Sequence, residues 1–454
     1  MKASGNSFGI RMTKLLNVVL MTVPYVICLL YYYLPGMPFT LTRSGMLLMF
    51  LLFVALYSIL GRTYDAFLVS ISRISTMAYS QTLAATISDG FAFIVIWVLY
   101  TRFPNPLPGL LALFVQMLIS LAWCILAKKF YYATRPAKKT ILISDRESSF
   151  EKLIPEYGLD RKYDIRESIT IDELGGDMSR LEPYEVVFLN GIHSHDRNII
   201  LKYCVDRDKT IFMIPRVGDV IMSGARPVHM LHLPVIRAGR YAPNPEYLFV
   251  KRLFDIVLSL LALVILSPIF LITAIAIKAN DGGPVFYKQC RLTRDGKEFD
   301  ILKFRSMRVD AESDGVARLS TGGADSRITS VGRVIRAVRI DELPQLINIL
   351  KGELSICGPR PERPEIAAEY EKEIPEFHLR LQAKAGLTGY AQVHGKYNTT
   401  PYDKLLMDLM YISRPSIYED LKIMFATVKI LFQPESTEGI EEGSTTAMGN
   451  HNER

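Results

Sequence analysis

Four apolar stretches crowd the first 130 residues, at about 15–34, 45–61, 84–100 and 109–127, and no other feature limits the fold of this chain as strongly. Each comes near the ~20 residues that carry an α-helix across a bilayer. Within lipid the backbone has to bond to itself, so a transmembrane bundle of four helices is the expected form. The first stretch has no small-residue cleavage site and is followed by further spans, which makes it a span rather than a cleaved signal peptide. Arg11 and Lys14 precede the first span, Arg62 and Arg73 fall in the second loop, and Lys128, Lys129, Arg135, Lys138 and Lys139 follow the fourth. The first and third loops carry only Arg43 and Arg102. Because basic loops stay on the cytoplasmic side, both ends of the bundle are expected in the cytoplasm.

The whole chain is too long for one ordinary domain: 454 residues, 49% of them hydrophobic, with a mean hydropathy of +0.18. Cys28, Cys124, Cys204, Cys290 and Cys357 are scattered without a C-x-x-C pair, against both a disulfide framework and a zinc site. A net charge of +7 suits phospholipid head groups, phosphorylated substrates or nucleic acid and does not choose among them.

From about 139 to 235, short apolar runs at 141–143, 186–189 and 211–214 alternate with helix-like polar stretches, the pattern of a small Rossmann-like βαβ domain. The first run leads into Ser144-Asp145-Arg146-Glu147, with no glycine before Gly158. The loop that lets a pyrophosphate approach the backbone is therefore missing, and no dinucleotide site is expected. His193 and His195 flank a serine; solvated loop histidines and a metal pair are both open to them.

A fifth apolar run, 253–277, is broken by Ser267-Pro268 near its middle. Pro268 removes a helical hydrogen bond, and Ser267 can help satisfy the freed backbone. Lys251 and Arg252 at one end and Lys278 at the other give both ends the cytoplasmic charge signal. A re-entrant helix hairpin satisfies both features; a Pro-kinked full span is the alternative. A hairpin follows, 285–290 with 299–304, turned at Asp295-Gly296, then amphipathic helices to about 432. The last 20 or so residues are polar and Gly/Ser/Thr-rich, the composition of a disordered tail. The expected divisions are 1–135 for the transmembrane region, 136–240 for the α/β domain, 241–432 for a mainly helical domain and 433–454 for the tail.

The chemistry concentrates between 327 and 361. Ile328, Val331, Val334, Ile335 and Val338 recur at helical spacing, with Arg333, Arg336 and Arg339 elsewhere around the helix. Asp341-Glu342-Leu343-Pro344-Gln345 follows, and Pro344 fits only the first turn of a new helix, which Gly352 stops. Asp341 therefore lies at or beside a helix N-terminus, where the dipole and nearby arginines favour an ionised carboxylate. That carboxylate could be a nucleophile, a ligand for a hard cation, or an ordinary N-cap. Tandem carboxylates close to arginines, with Gly358-Pro359-Arg360-Pro361 downstream, suit a magnesium diphosphate site.

Over about 248–432 the sequence resembles the bacterial sugar transferase family, the monotopic phosphoglycosyl transferases. The likeness rests on an ordered series of segments: Lys251-Arg252-Leu253-Phe254-Asp255, the Ser267-Pro268 break, Gly283-Pro284-Val285-Phe286-Tyr287, Lys303-Phe304-Arg305-Ser306-Met307, Asp325-Ser326-Arg327-Ile328-Thr329, the 341–345 segment, Gly358-Pro359-Arg360-Pro361 and Gly386-Leu387-Thr388-Gly389-Tyr390-Ala391-Gln392-Val393. The four spans and α/β domain ahead of it resemble the large members, which start exopolysaccharide, capsule or O-antigen repeat units. Two departures stand out: Arg291-Leu292-Thr293-Arg294 lacks a glycine common in the family hairpin, and Ala385 replaces a frequent proline.

The resemblance implies an enzyme of the bacterial cytoplasmic membrane with its catalytic domain on the cytoplasmic face. It would move sugar-1-phosphate from a UDP-sugar, with glucose or galactose favoured, to polyprenyl (undecaprenyl) phosphate, using Mg²⁺. Asp341 would be the nucleophile and Glu342 the magnesium partner, with both carboxylates available to the metal. Lys303, Arg305, Arg336 and Arg360 would contact phosphate, and Lys251, Arg252, Asp255, Ser267 and Pro268 would belong to the re-entrant helix. Membrane lipid is an expected partner, a homodimer is compatible, and nucleic acid is not expected. A membrane-anchored regulatory scaffold and a polytopic transporter are the rival classes; few intramembrane charges weigh against the transporter.

Overall fold

A computed structural model describes residues 2–145, 154–155, 158–230, 233–309, 311, 327–395 and 399–431. The expected tail at 433–454 and the motif residues Asp325 and Ser326 lie outside them. The chain forms two compact units, Met1–Ile214 and Pro215–Arg454.

The first unit opens with α1 (Lys2–Cys28), continued by a π-helical turn at Leu29–Tyr33, then α2 (Arg43–Thr63), α3 (Ile74–Tyr100) and α4 (Leu107–Thr134). All four helices are long and apolar enough to cross a membrane. One buried polar residue from each helix meets in the interior. Tyr57 Oη donates to Asn17 Oδ1 (2.8 Å), Asn17 Nδ2 donates to Gln81 Oε1 (3.0 Å), and Ser120 Oγ donates to the same oxygen (2.9 Å). Apolar contacts alone leave the rotation of helices in lipid weakly specified. These bonds, each worth about 0.6 kcal/mol on average in membrane bundles, fix which faces meet.

Four parallel strands follow: β1 (Lys138–Ser144), β2 (Tyr163–Thr170), β3 (Val186–Asn190) and β4 (Thr210–Met213), in the order β2-β1-β3-β4. Ile141 and Ile143 face a core with Val187, Leu189 and Ile200, while Leu142 faces Tyr163, Val186 and Phe188. Burial on both faces explains why β1 and β3 are continuous apolar runs. Strand β2 falls where the sequence suggested a polar helix-like stretch. It is an edge strand with mostly half-exposed side chains, so its Asp164, Arg166 and Glu167 hide the strand signal. His193 and His195 are exposed at the start of α5 (Ser194–Asp206), and no group of three metal-type ligands occurs among the described residues.

In the second unit a short helix, Val217–Ser223, precedes an antiparallel pair, β5 (Arg226–Met230) and β6 (Leu233–Arg237). Residues 215–240, placed by the sequence in the α/β domain, thus belong to the second compact unit. The long helix α6 (Pro245–Ile265) and α7 (Ser267–Asp281) meet at an angle of 61°. Pro268 stands in the first turn of α7, where its missing N–H costs nothing, and Ser267 Oγ donates to the Val264 carbonyl (2.8 Å). Many large apolar side chains of both helices point outward, among them Leu253, Leu261, Ile265 and Ile272.

The hairpin β7 (Phe286–Leu292) and β8 (Glu298–Phe304) turns through Asp295 and Gly296, both at positive φ. Phe304 is buried between Phe270 of α7 and Phe286. Helix α8 (Ser330–Ala337) is only two turns long. Ile335 packs on Phe304 and Ile277, but Val334 and Val338, predicted on the same apolar face, are exposed because so short a helix presents a single narrow stripe to that core. The unit also holds helix α9 (Gln345–Lys351), the short parallel strands β9 (Ser355–Cys357) and β10 (Gly386–Thr388), helical segments at Pro364–Glu373, Pro375–Gln382 and Tyr390–His394, and helices α10 (Pro401–Ser413) and α11 (Ile417–Leu431).

Candidate active site

Asp341 and Glu342 occupy a single 3-10 turn, Ile340–Glu342, set up by Arg339 in the left-handed region (φ 54°). Pro344 is the N-cap of α9, and no side chain caps that helix. Asp341 therefore precedes the helix by a turn and is not its N-cap. Buried Asn348 ties α9 to β8 by accepting the Leu302 N–H (2.9 Å) and donating to the Asp300 carbonyl (2.8 Å). These bonds bring the neighbouring Lys303 to the carboxylate turn.

Glu342 is the centre of the charge cluster. Its Oε1 accepts from Arg360 Nη2 at 2.8 Å and lies 3.9 Å from Lys303 Nζ, while Oε2 lies 4.0 Å from Arg339 Nη1. Burial alone would push Glu342 up; Arg360, Lys303 and Arg339 together outweigh it and hold the carboxyl well below its usual range. Asp341 moves the other way. Burial first, then the Glu342 charge, raise it to about 6, against the opposing pull of Lys303, Arg336 and Arg360. The helix-start and arginine argument predicted a more readily ionised Asp341; desolvation and the adjacent anion outweigh those cations. Burial also lowers Lys303 to about 8, partly offset by Glu342.

Arg360 owes its position to a loop anchored at five consecutive residues. Gly358 N–H donates to the Thr388 carbonyl (2.8 Å), the Pro359 carbonyl accepts from Gly386 N–H (2.9 Å) and the Arg360 carbonyl from Arg380 Nη2 (2.8 Å). The Pro361 carbonyl accepts from Arg291 Nη1 (3.1 Å) and the Glu362 carbonyl from Leu292 N–H (2.9 Å). A Cβ at Gly358 would sit 2.3 Å from the Lys384 carbonyl oxygen, so only glycine lets β9 and β10 approach there. Arg380 is itself buried against Asp408 (2.6 Å). Asn348, Arg380 and Asp408 were not singled out from the sequence, and Arg291 entered only as part of a departure from the family hairpin; each acts through contacts between segments distant along the chain. A cleft with about 320 Å³ of empty space, mouth included, runs along Arg360, Glu362 and Arg380.

The predicted residues divide. Lys303, Arg336, Arg360, Asp341 and Glu342 interact electrostatically as one group. Arg305 does not join it: its guanidinium is buried, pairs twice with Asp281 (Nη1 to Oδ2, 2.7 Å) and donates Nε to the Pro284 carbonyl (2.7 Å). Lys251 and Arg252 are also committed. Lys251 pairs with Asp420 (2.9 Å), and Arg252 donates to the Ile349 and Leu350 carbonyls (2.6 and 2.7 Å), closing the C-terminus of α9. Asp255, buried on α6, accepts from Ile356 N–H (2.9 Å) and Ser355 Oγ (2.8 Å), fastening the helix to β9.

A bacterial sugar transferase family model matches residues 246–434, which include every residue of this cluster. A UDP-N-acetylgalactosamine-undecaprenyl-phosphate N-acetylgalactosaminephosphotransferase of Aeromonas hydrophila is 39% identical over 224 residues, 49% of this chain and 52% of that protein. A UDP-glucose:undecaprenyl-phosphate glucose-1-phosphate transferase of Caulobacter vibrioides is 38% identical over 209 residues, 45% of this chain and 78% of its own length. An exopolysaccharide production protein of Rhizobium leguminosarum is 40% identical over 190 residues, 40% of this chain and 94% of its own length. The match thus spans about half of the Aeromonas relative and nearly all of the Rhizobium one, with the carboxylate turn and the Arg360 loop inside it: the chain belongs to the bacterial sugar transferase family.

Proposed function

We propose that this chain transfers sugar-1-phosphate from a UDP-sugar to polyprenyl phosphate through a phosphosugar ester on Asp341. The observation that carries this reading is the unequal use of two adjacent carboxylates. Glu342 is held by three basic side chains, whereas Asp341 makes no hydrogen bond or ion pair among the described residues and sits beside the same positive charge. Raised to about 6 by burial and by the adjacent Glu342 charge, Asp341 is more basic than an ordinary aspartate. A half-buried carboxylate with no ion-pair partner, facing cations, is suited to attack an electrophilic phosphate.

An oxygen of Asp341 attacks the β-phosphorus of the UDP-sugar, the bond to the bridging oxygen breaks, and that oxygen leaves with the electron pair as part of UMP. An oxygen of polyprenyl phosphate then attacks the same phosphorus. The aspartyl ester breaks, Asp341 returns as a carboxylate, and the product is a polyprenyl-diphosphate-sugar. Lys303 and Arg360 face the charge that spreads over the phosphoryl oxygens. Asp341 and Glu342 offer the hard oxygen donors that Mg²⁺ prefers; with no third acidic ligand among the described residues, the diphosphate and water would complete its shell. When bound, Mg²⁺ would neutralise diphosphate charge.

The α6–α7 pair is read as re-entrant, entering and leaving by the cytoplasmic face of the bacterial cytoplasmic membrane. Supporting this, both of its ends are bound to side chains of one folded unit: Lys251 to Asp420 near the start, Asp281 to Arg305 at the finish. The donor sugar differs among the named relatives, so a panel of UDP-sugars decides it. Incubation with UDP-sugar and Mg²⁺ but no acceptor is expected to release UMP and leave a phosphosugar mass on the Asp341 peptide, with both lost in Asp341→Asn. UMP release that requires acceptor, with no adduct trapped, would point to a single direct displacement.

A further inference from the structure

Asp89 is the one Asp or Glu within the four spans of the first unit. It lines a cavity with about 290 Å³ of empty space, mouth included, between α1, α3 and α4, walled by Tyr25, Leu29, Tyr33, Phe93 and Ile96. Two atoms of its lining residues, Asp89 Oδ2 and Tyr25 Oη, are buried without a hydrogen-bond partner, and so is Oε1 of Gln116, a neighbour of Asp89. Tyr25 is only 5% exposed and Gln116 fully buried, so solvent does not satisfy them from outside. Gln116 spends its amide nitrogen on the Met21 carbonyl (2.9 Å) and also hydrogen-bonds Asp89. No basic side chain among the described residues is near enough to influence Asp89.

An unpaired carboxylate in a bilayer-spanning bundle is costly and has to be neutralised. While Asp89 is ionised, its Oδ2 and Gln116 Oε1 can only accept, and the Tyr25 hydroxyl has one proton to give, so one of the two oxygens is left without a donor. One small cation with a water can contact all three. The backbone beside the cavity is irregular as well: α1 contains Pro24, which has no N–H to give, and turns π-helical at Leu29–Tyr33. Interrupted helices beside a lone acidic group are where membrane proteins expose carbonyl oxygens to small cations. The other titratable groups facing Asp89 are Tyr25 and Cys28 on α1 and Tyr33 in the π-helical turn, so nothing there competes as a counter-ion.

We infer that this cavity is a binding site for one monovalent metal cation with its water, held by Asp89, Gln116 and Tyr25. The site owes nothing to the transferase chemistry, and its test is independent of activity. Thermal unfolding of the full chain in detergent would be followed in lithium, sodium or potassium chloride against N-methylglucamine chloride, at fixed pH and ionic strength. A ligand bound only by the folded state raises the midpoint in a saturable way. The expected result is such a rise with at least one alkali ion, abolished in Asp89→Asn. In Tyr25→Phe, which keeps the ring stacked on Phe53, the half-saturating concentration should rise about tenfold, equivalent to about 1.4 kcal/mol for one lost ligand. This second variant also covers the case in which Asp89→Asn does not fold. Midpoints indifferent to all alkali ions, or moving only with pH, would overturn the proposal in favour of a proton-neutralised carboxyl. An alkali response unchanged in Tyr25→Phe and Asp89→Asn would overturn it as well.

Discussion

Arg360 Nη2 donates to Glu342 Oε1 at 2.8 Å, so the loop after β9 and the carboxylate turn before α9 are joined by a single charged hydrogen bond at the centre of the site. That bond holds Glu342 ionised, and its positive partner also faces Asp341. Arg360→Ala should lower kcat for UMP release by about 10²–10³, the range found when one preorganised donor to a developing charge is removed. Arg360→Lys should recover part of the loss, because a point charge replaces a planar fork. The check is kcat and KM for both variants beside their unfolding midpoints; near-normal kcat in a folded Arg360→Ala protein would remove Arg360 from the site.

The pH profile follows from two groups moved toward neutrality. Asp341, raised to about 6, takes up a proton as pH falls through that value and is then no longer the carboxylate that the proposed attack requires. Lys303, lowered to about 8, loses its proton as pH rises through that value and withdraws a positive charge. A plot of kcat/KM against pH should therefore be bell-shaped with limbs near 6 and 8, belonging to the coupled cluster as a whole. Lys303→Arg cannot deprotonate in this range, so its alkaline limb should move upward while the acid limb stays. An alkaline limb unmoved by that change would have to come from another group.

Arg305 serves stability instead of chemistry. Buried with both terminal nitrogens on Asp281 and Nε on the Pro284 carbonyl, it ties the end of β8 to the turn that follows α7. Arg305→Ala should cost about 2 kcal/mol, the scale of lost hydrogen bonds to a charged group. The protein that remains folded should keep its KM for the UDP-sugar. A rise in KM without a change in unfolding midpoint would return Arg305 to the phosphate contacts.

What was legible in the sequence was local. The four apolar helices follow from runs of apolar residues, the hairpin from Asp295-Gly296, and the charged cluster from two adjacent carboxylates among arginines. What was not legible depends on contacts between distant segments. Lys303 and Arg305 carry like charges two residues apart, a spacing that puts both on one face of a continuing strand. Strand β8 ends at Phe304, however, and Arg305 turns away with its N–H on the Val285 carbonyl. Asn348 and Arg380 resemble any polar residues on helical segments until β8 and the Arg360 loop are folded against them. The direction of the Asp341 shift was also beyond reach, since burial decides it.

The last prediction concerns the path of α6 and α7. A straight span would carry its two ends to opposite faces of the bilayer. Here Lys251 is paired with Asp420 and Arg252 with the α9 carbonyls at one end, while Asp281 is paired with Arg305 and Asn280 accepts from Ser330 Oγ (2.9 Å) at the other. One folded domain grips both ends, and Pro268 stands in the first turn after the 61° bend, where the proposed return would begin. Single cysteines at Glu246 and at Gly282, in a background whose native cysteines are replaced, should both be labelled by an impermeant maleimide only in inside-out vesicles. Pro268→Ala restores an N–H that allows a continuous helix, and the far end could then cross only by breaking the Asp281–Arg305 pair. The variant should therefore keep its same-side labelling but lose activity through a misplaced site. Labelling of the two positions from opposite sides in the unaltered Pro268 protein would establish a full span.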